Sequence, residues 1–180
     1  LIAGECPPPT AAGIARYLFG ELAFRGNTNA YYDWRNSCLD RVIERRVGIP
    51  ISLSVLMIEV GRRLGVPLVG VGMPAHFLVR HAEEPARFFD PFAGGAELDA
   101  AGARALFERI TRGQVPWQDD YLSPTIGQAI VVRMLNNLRS IFTGRQDALR
   151  LGVVMQLRAC IPQLAVAEAD DITAATATFN

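Results

Sequence analysis

Two histidines and three cysteines are the side chains of this sequence best suited to chemistry, and their spacing limits what that chemistry is. His76 and His81 stand five apart around an apolar run, not four apart on a helix, so they lack the spacing that presents two imidazoles to one metal ion. Cys6, Cys38 and Cys160 are far apart and include no close pair, which argues against a structural zinc site and against a disulfide framework. No metal and no cofactor is therefore expected. His76 opens a short β-rich run and Asp90 closes a later one, and adjacent antiparallel strands can bring such residues side by side. An imidazole held beside a carboxylate is the pair that serves a nucleophile. A plainer reading stands next to it: a lone histidine on an apolar strand is usually a satisfied core residue, and an aspartate before proline suits a turn cap. Cys38, among Leu39 and Val42, reads as a buried free thiol.

The elements that must position this pair follow from hydrophobic period. Ile14, Tyr17, Leu18 and Leu22 predict a short amphipathic helix over Ala11–Phe24, broken at Gly26-Asn27-Thr28-Asn29. A second helix is expected from about Ser37 to Arg46, with Asp33 or Asn36 as N-cap. Gly48-Ile49-Pro50 introduces a third, Ile51 to Leu64, whose apolar residues cover almost the whole circumference and predict a buried central helix. Among its few polar residues, Glu59 is expected to form an internal ion pair with Arg62 or Arg63. The period then shortens to that of strands over Leu68–Met73, His76–Arg80 and Ala86–Asp90. A helix over about Ala100–Ile110 follows, then a linker through Ser123-Pro124, then helices at roughly Thr125–Thr143 and Gln146–Ile161 that suit an αα-hairpin. Helices first and antiparallel strands after predict an α+β fold over 1–118, with a helical extension over 119–180. The tail 163–180 suits either a last helix or a frayed end.

Composition narrows the partners. Half of the 180 residues are hydrophobic, enough for a real core. Eighteen basic residues, all arginine, balance eighteen acidic ones, so no broad positive field invites nucleic acid. No apolar run is long enough to predict a membrane span, and the sparse cysteines suit a reduced, cytoplasmic protein. The chain starts at Leu1 rather than methionine, which leaves open a removed targeting segment. The arginine pairs Arg45-Arg46 and Arg62-Arg63 suit solvated helix faces better than anion sites, and Tyr31-Tyr32-Asp33-Trp34 suits a lid or, if exposed, a peptide-contact surface. Asn36-Ser37 is placed either as a helix cap or on the cleft.

Four separated motifs, GIPISLS, RRLGVP, GMPAHFLVR and DPF, occur in this order between Gly48 and Phe92. This arrangement resembles the SirB-type branch of the transglutaminase-like superfamily over roughly residues 10–110. Residues 130–161 resemble the tetratricopeptide-like helical extension that often follows that domain. The resemblance implies a papain-like core in which a cysteine at the start of the central helix attacks an acyl group. It assigns His76 as the activating base and Asp90 as its orienting partner. The cysteine position falls at about Pro50 to Ser52, where there is none, and Ser52 is the nearest residue with a nucleophilic atom. Two functions follow. The first is a non-catalytic, regulatory module that binds a protein or peptide partner. The alternative is an atypical hydrolase or acyltransferase using Ser52 with His76 and Asp90, although a first-turn hydroxyl commonly bonds backbone instead.

Overall fold

The computed structural model describes residues 8–125, 127–162 and 164, so the expectation for the 163–180 tail lies almost wholly outside the described residues. The chain divides into two units, one ending at Ile130 and the other beginning at Val131.

The first unit is α+β. Its helices are α1 (Ala11–Ala15), α2 (Leu39–Arg45), α3 (Pro50–Arg63) and α4 (Ala100–Thr111). Strands β1 (Arg25–Gly26) and β2 (Val47–Gly48) form a small parallel pair. The main sheet is antiparallel and joins β3 (Leu68–Val71), β4 (Leu78–His81), β5 (Phe88–Asp90), β6 (Ala96–Leu98) and β7 (Pro124–Thr125) in the order β6-β5-β4-β3-β7.

The two-residue period of these strands sorts their side chains to opposite faces. Leu68, Val79 and Phe89 pack with Leu53 and Met57 of α3 and with Ile14, Leu18 and Phe19. Val71, Leu78 and Phe88 pack with Ala103, Leu106 and Phe107 of α4. The sheet is thus covered on both sides, and α4 is a second packing layer. Phe77, Phe88 and Phe107 are fully buried, each contributing roughly 2–3 kcal/mol relative to exposure.

The third helix starts where expected because Pro50 occupies its first turn, where a missing N–H costs nothing. Arg62 and Arg63 complement the negative end of its dipole, and Gly65 at φ +73° takes the left-handed stop. Burial along it is graded. Residues 50–54, Met57 and Gly61 are buried, while Val55, Leu56, Ile58 and Val60 are only partly so. Glu59 does pair with Arg62, at 3.0 Å, but on the exposed side of the helix rather than internally.

Other elements depart from expectation. The first helix passes at Arg16 into a π-helical stretch, Arg16–Glu21. Asp33 caps the 3-10 turn Trp34–Ser37 by accepting from Arg35 N–H, and α2 begins later, at Leu39. The segment read as a linker includes a 3-10 turn at Asp119–Leu122 and β7, which pairs with β3. Trp117 and Tyr121 of that segment pack on the α4 cluster, so it is tied into the first unit.

In the second unit, α6 (Ala148–Ala159) follows α5 (Gly127–Gly144), within which the division of the chain falls. Leu135, Phe142 and Val154 are buried there, and Arg158 donates to Asn136 Oδ1, as an αα-hairpin requires.

Candidate functional site

His76 stands in the turn between β3 and β4, not on a strand. Ala75 immediately before it has φ +62°, a conformation costly for a residue with a Cβ and held here by its surroundings. His76 N–H donates to Met73 O at 3.2 Å, closing the turn that aims the imidazole. Asp90 ends β5, and Pro91 forces the chain into the short 3-10 turn Pro91–Ala93. One carboxylate oxygen, Oδ1, accepts from Phe92 N–H at 3.0 Å and Ala93 N–H at 3.2 Å. The other, Oδ2, stands 3.0 Å from His76 Nε2. Asp90 thus caps the turn with one oxygen and stands against His76 with the other. Both side chains are almost fully buried, at 6% and 3% exposure.

Ser52 is placed differently. Its hydroxyl is fully buried, donates to Asn36 O at 2.6 Å and accepts from Ile49 N–H at 3.1 Å. Gly48 leaves it this room, since a Cβ there would lie 2.8 Å from Ser52 Oγ. The hydroxyl closes the first turn of α3 on itself. The bond to backbone that a first-turn hydroxyl can make is the one it makes.

Asn36 is the hub that this bond reaches. Its amide Nδ2 donates to Ala30 O at 2.7 Å and Tyr31 O at 3.1 Å, and its Oδ1 accepts from Asn27 Nδ2 at 3.0 Å. It neither caps α2 nor lines the cleft described below; it fixes the loop that does. Asp33 beside it accepts from Arg35 Nε at 2.9 Å, and that charge-assisted bond holds its carboxyl below the usual aspartate range.

These elements enclose an open cleft of about 700 Å³, within the usual size of a small-ligand site. His76 and Asp90 lie on it, with Pro50 from the start of α3 and Ala75 beside them. One wall is aromatic: Tyr31 meets Phe92 edge to face at 6.0 Å, and Phe92 meets the His76 ring likewise at 6.1 Å. Tyr32 extends the wall outward and is three-quarters exposed, whereas Asp33 is buried and Trp34 half-buried, so the run is open at one end and packed at the other. The opposite wall is Leu106, Arg109 and Ile110 of α4.

Sequence reasoning reached His76, Asp90 and the tyrosines but not Arg109 or the rest of α4. Their apolar spacing marks a helix face, but nothing local says which side of the sheet that face covers. The arginine pairs lie elsewhere. Arg45 approaches Asp33, Arg46 bonds Leu22 O, and Arg62 pairs with Glu59. Cys38 is half buried, with its thiol pushed up by burial and then by Asp40, which disfavours the thiolate a nucleophile needs. His81 accepts from Glu83 N–H and takes no part. Among the described residues, no cluster of His, Cys, Asp and Glu could hold a metal ion, and no helix is long and apolar enough to cross a membrane.

A buried helix beginning at a cleft, with a histidine from the turn before β4 and an aspartate from the end of β5 beside it, is a transglutaminase-like arrangement. A family model described as the transglutaminase-like superfamily matches residues 4–136, and the chain belongs to that superfamily. It is similar to the UPF0162 protein of Xylella fastidiosa (strain 9a5c), at 47% identity over 148 residues, covering 78% of this chain and 52% of the relative. The UPF0162 protein of Pseudomonas aeruginosa is 34% identical over 139 residues, 77% of this chain and 50% of the relative. The chain thus spans about half the length of these curated relatives. A shorter similarity, 49% over 82 residues, links 46% of this chain to 12% of F-box only protein 21 of Mus musculus. No solved structure matches.

Proposed function

We propose that this domain is a non-catalytic, regulatory module that binds a protein or peptide partner in the His76 cleft. The observation that carries the proposal is what the first turn of α3 offers to that cleft. Pro50 lines it, with neither a nucleophilic atom nor a backbone N–H to stabilise an oxyanion, while Ser52 Oγ is enclosed and bonded to Asn36 O. A His–Asp pair without a nucleophile still has a use, because it supplies a fixed polar floor between apolar walls. Exposed tyrosines give contact area at low conformational cost, as binding surfaces commonly do. The similarity of 82 residues to a small part of a much longer protein supports a unit that works within larger chains. The SirB-type branch, and a tetratricopeptide-like role for α5 and α6, belong to the same proposal.

The test has two arms. A serine-directed fluorophosphonate and a thiol-directed probe should give no labelling that depends on His76. Labelling of the wild type that is lost in both Ser52→Ala and His76→Ala overturns the proposal in favour of a hydrolase or acyltransferase. In the second arm, a displayed random-peptide library selected on the intact chain should yield ligands that no longer bind Ala93→Trp. That exposed position faces the cleft, and its backbone N–H bond to Asp90 survives the change.

A further inference from the structure

Arg109 is the cleft residue that neither His76 nor Asp90 accounts for. It sits in the last turn of α4 and lines two depressions: the main cleft and a smaller one of about 220 Å³. Among the described residues its guanidinium has no ion pair and no hydrogen-bond partner. Its sequence neighbour Glu108 is engaged by Arg104 at 2.9 Å. The carboxylate that shares both depressions, Asp90, is buried and already held by two backbone N–H groups and by His76. The cleft therefore presents one guanidinium that no side chain among the described residues engages, with apolar residues on either side of it. Tyr31, Phe92 and Ile110 line the main cleft, and Ala96, Leu98 and Ala105 line the smaller depression.

We infer that the cleft recognises the free C-terminal carboxylate of a peptide, with Arg109 as its partner. This rests on the binding function proposed above and names the ligand's chemistry. A chain end is the group that fits this layout. Its α-carboxylate lies between its own last side chain and the residues preceding it, as Arg109 lies between the small depression and the large one. The small depression, lined by alanine, leucine and glycine, takes an aliphatic terminal side chain. The preceding residue lies against the aromatic wall toward His76. A guanidinium suits the carboxylate because its paired N–H groups match the two oxygens.

The test uses three capped peptides and NMR titration of the intact chain, following the backbone amides of Ala75, His76, Phe92 and Ala93. The probes are acetyl-phenylalanyl-leucine as free acid, its C-terminal amide, and acetyl-phenylalanyl-aspartic acid with an amidated C-terminus. The free acid should bind roughly threefold to tenfold more tightly than the amide, the range for a partly exposed guanidinium–carboxylate contact. Arg109→Gln should bring that ratio to about one while leaving the amide's own binding in place, and Arg109→Lys should restore part of it. Arg109 is exposed, so neither change threatens the fold. Equal binding of acid and amide to the wild type, or a preference that survives Arg109→Gln, overturns the inference while the cleft stays a binding site. An aspartyl probe that matches the free acid overturns the chain-end assignment in favour of an acidic side chain. If none of the probes moves the four amides, the peptide-binding reading fails, and this inference with it.

Discussion

Replacing Ser52 by alanine separates a catalytic serine from a structural one. The wild-type hydroxyl satisfies two groups that no water reaches: the carbonyl of fully buried Asn36 and the N–H of buried Ile49. Alanine leaves both without this partner. At about 1–2 kcal/mol for each orphaned group, the loss should be about 2–4 kcal/mol. For a unit of this size that lowers the melting temperature by roughly 10 °C. Trp34 and Trp117 are the two tryptophans of the chain and both lie in the first unit, so urea unfolding followed by their fluorescence reports that unit alone. The midpoint should fall with the slope unchanged. Hydrogen exchange should show the Ile49 amide losing protection more than amides of the β3–β4 ladder. A variant within about 0.5 kcal/mol of the wild type would falsify the reasoning, because that is the range of a surface substitution and not of an emptied buried bond.

Asp90→Asn should keep most of the turn at Pro91–Ala93, because an amide oxygen still accepts from Phe92 and Ala93, whereas Asp90→Ala should cost about 1–2 kcal/mol more in the same urea titration. Gly26→Ala should destabilise by more than about 2 kcal/mol, since the new Cβ would lie 2.6 Å from the Phe92 ring and 2.7 Å from its carbonyl oxygen, and the backbone cannot swing aside. Acid stability should depend on Asp33, whose folded pKa is held below its ordinary 3.8 by the Arg35 bond. A depressed carboxylate stabilises above its unfolded pKa and loses that contribution as pH falls through the folded value. Asp33→Asn should therefore lower stability at neutral pH and flatten the fall below pH 3.8, measured as the pH dependence of the urea midpoint.

What could be read from the residues themselves was whatever repeats locally. The apolar circumference of 51–64 marked α3, and alternation marked β3, β4 and β5, so His76 and Asp90 could be assigned to neighbouring segments. His76 was nevertheless expected to start a strand. The left-handed conformation of Ala75 that sets it in a turn has no signature, because alanine rarely adopts it. The pair β1–β2 and the strand β7 are two residues long, too short for any period to register. Leu106, Arg109 and Ile110 join the site only through the crossing of α4 over the sheet, a tertiary fact. Ser52 shows the opposite case. A single polar atom in a first helical turn permits several partners, and only the burial of Asn36 against it selects one.

The Asn36 hub has a kinetic consequence. One buried residue joins the turn at Asn27, the loop carbonyls at Ala30 and Tyr31, and the first turn of α3. Four hydrogen bonds thereby tie down the backbone behind the tyrosine wall, so the binding proposed above would need no loop to order. Association should proceed at the ordinary rate for docking onto a rigid patch, with no slow step that saturates at high ligand concentration. Differences in affinity between ligands should then appear in how long each stays.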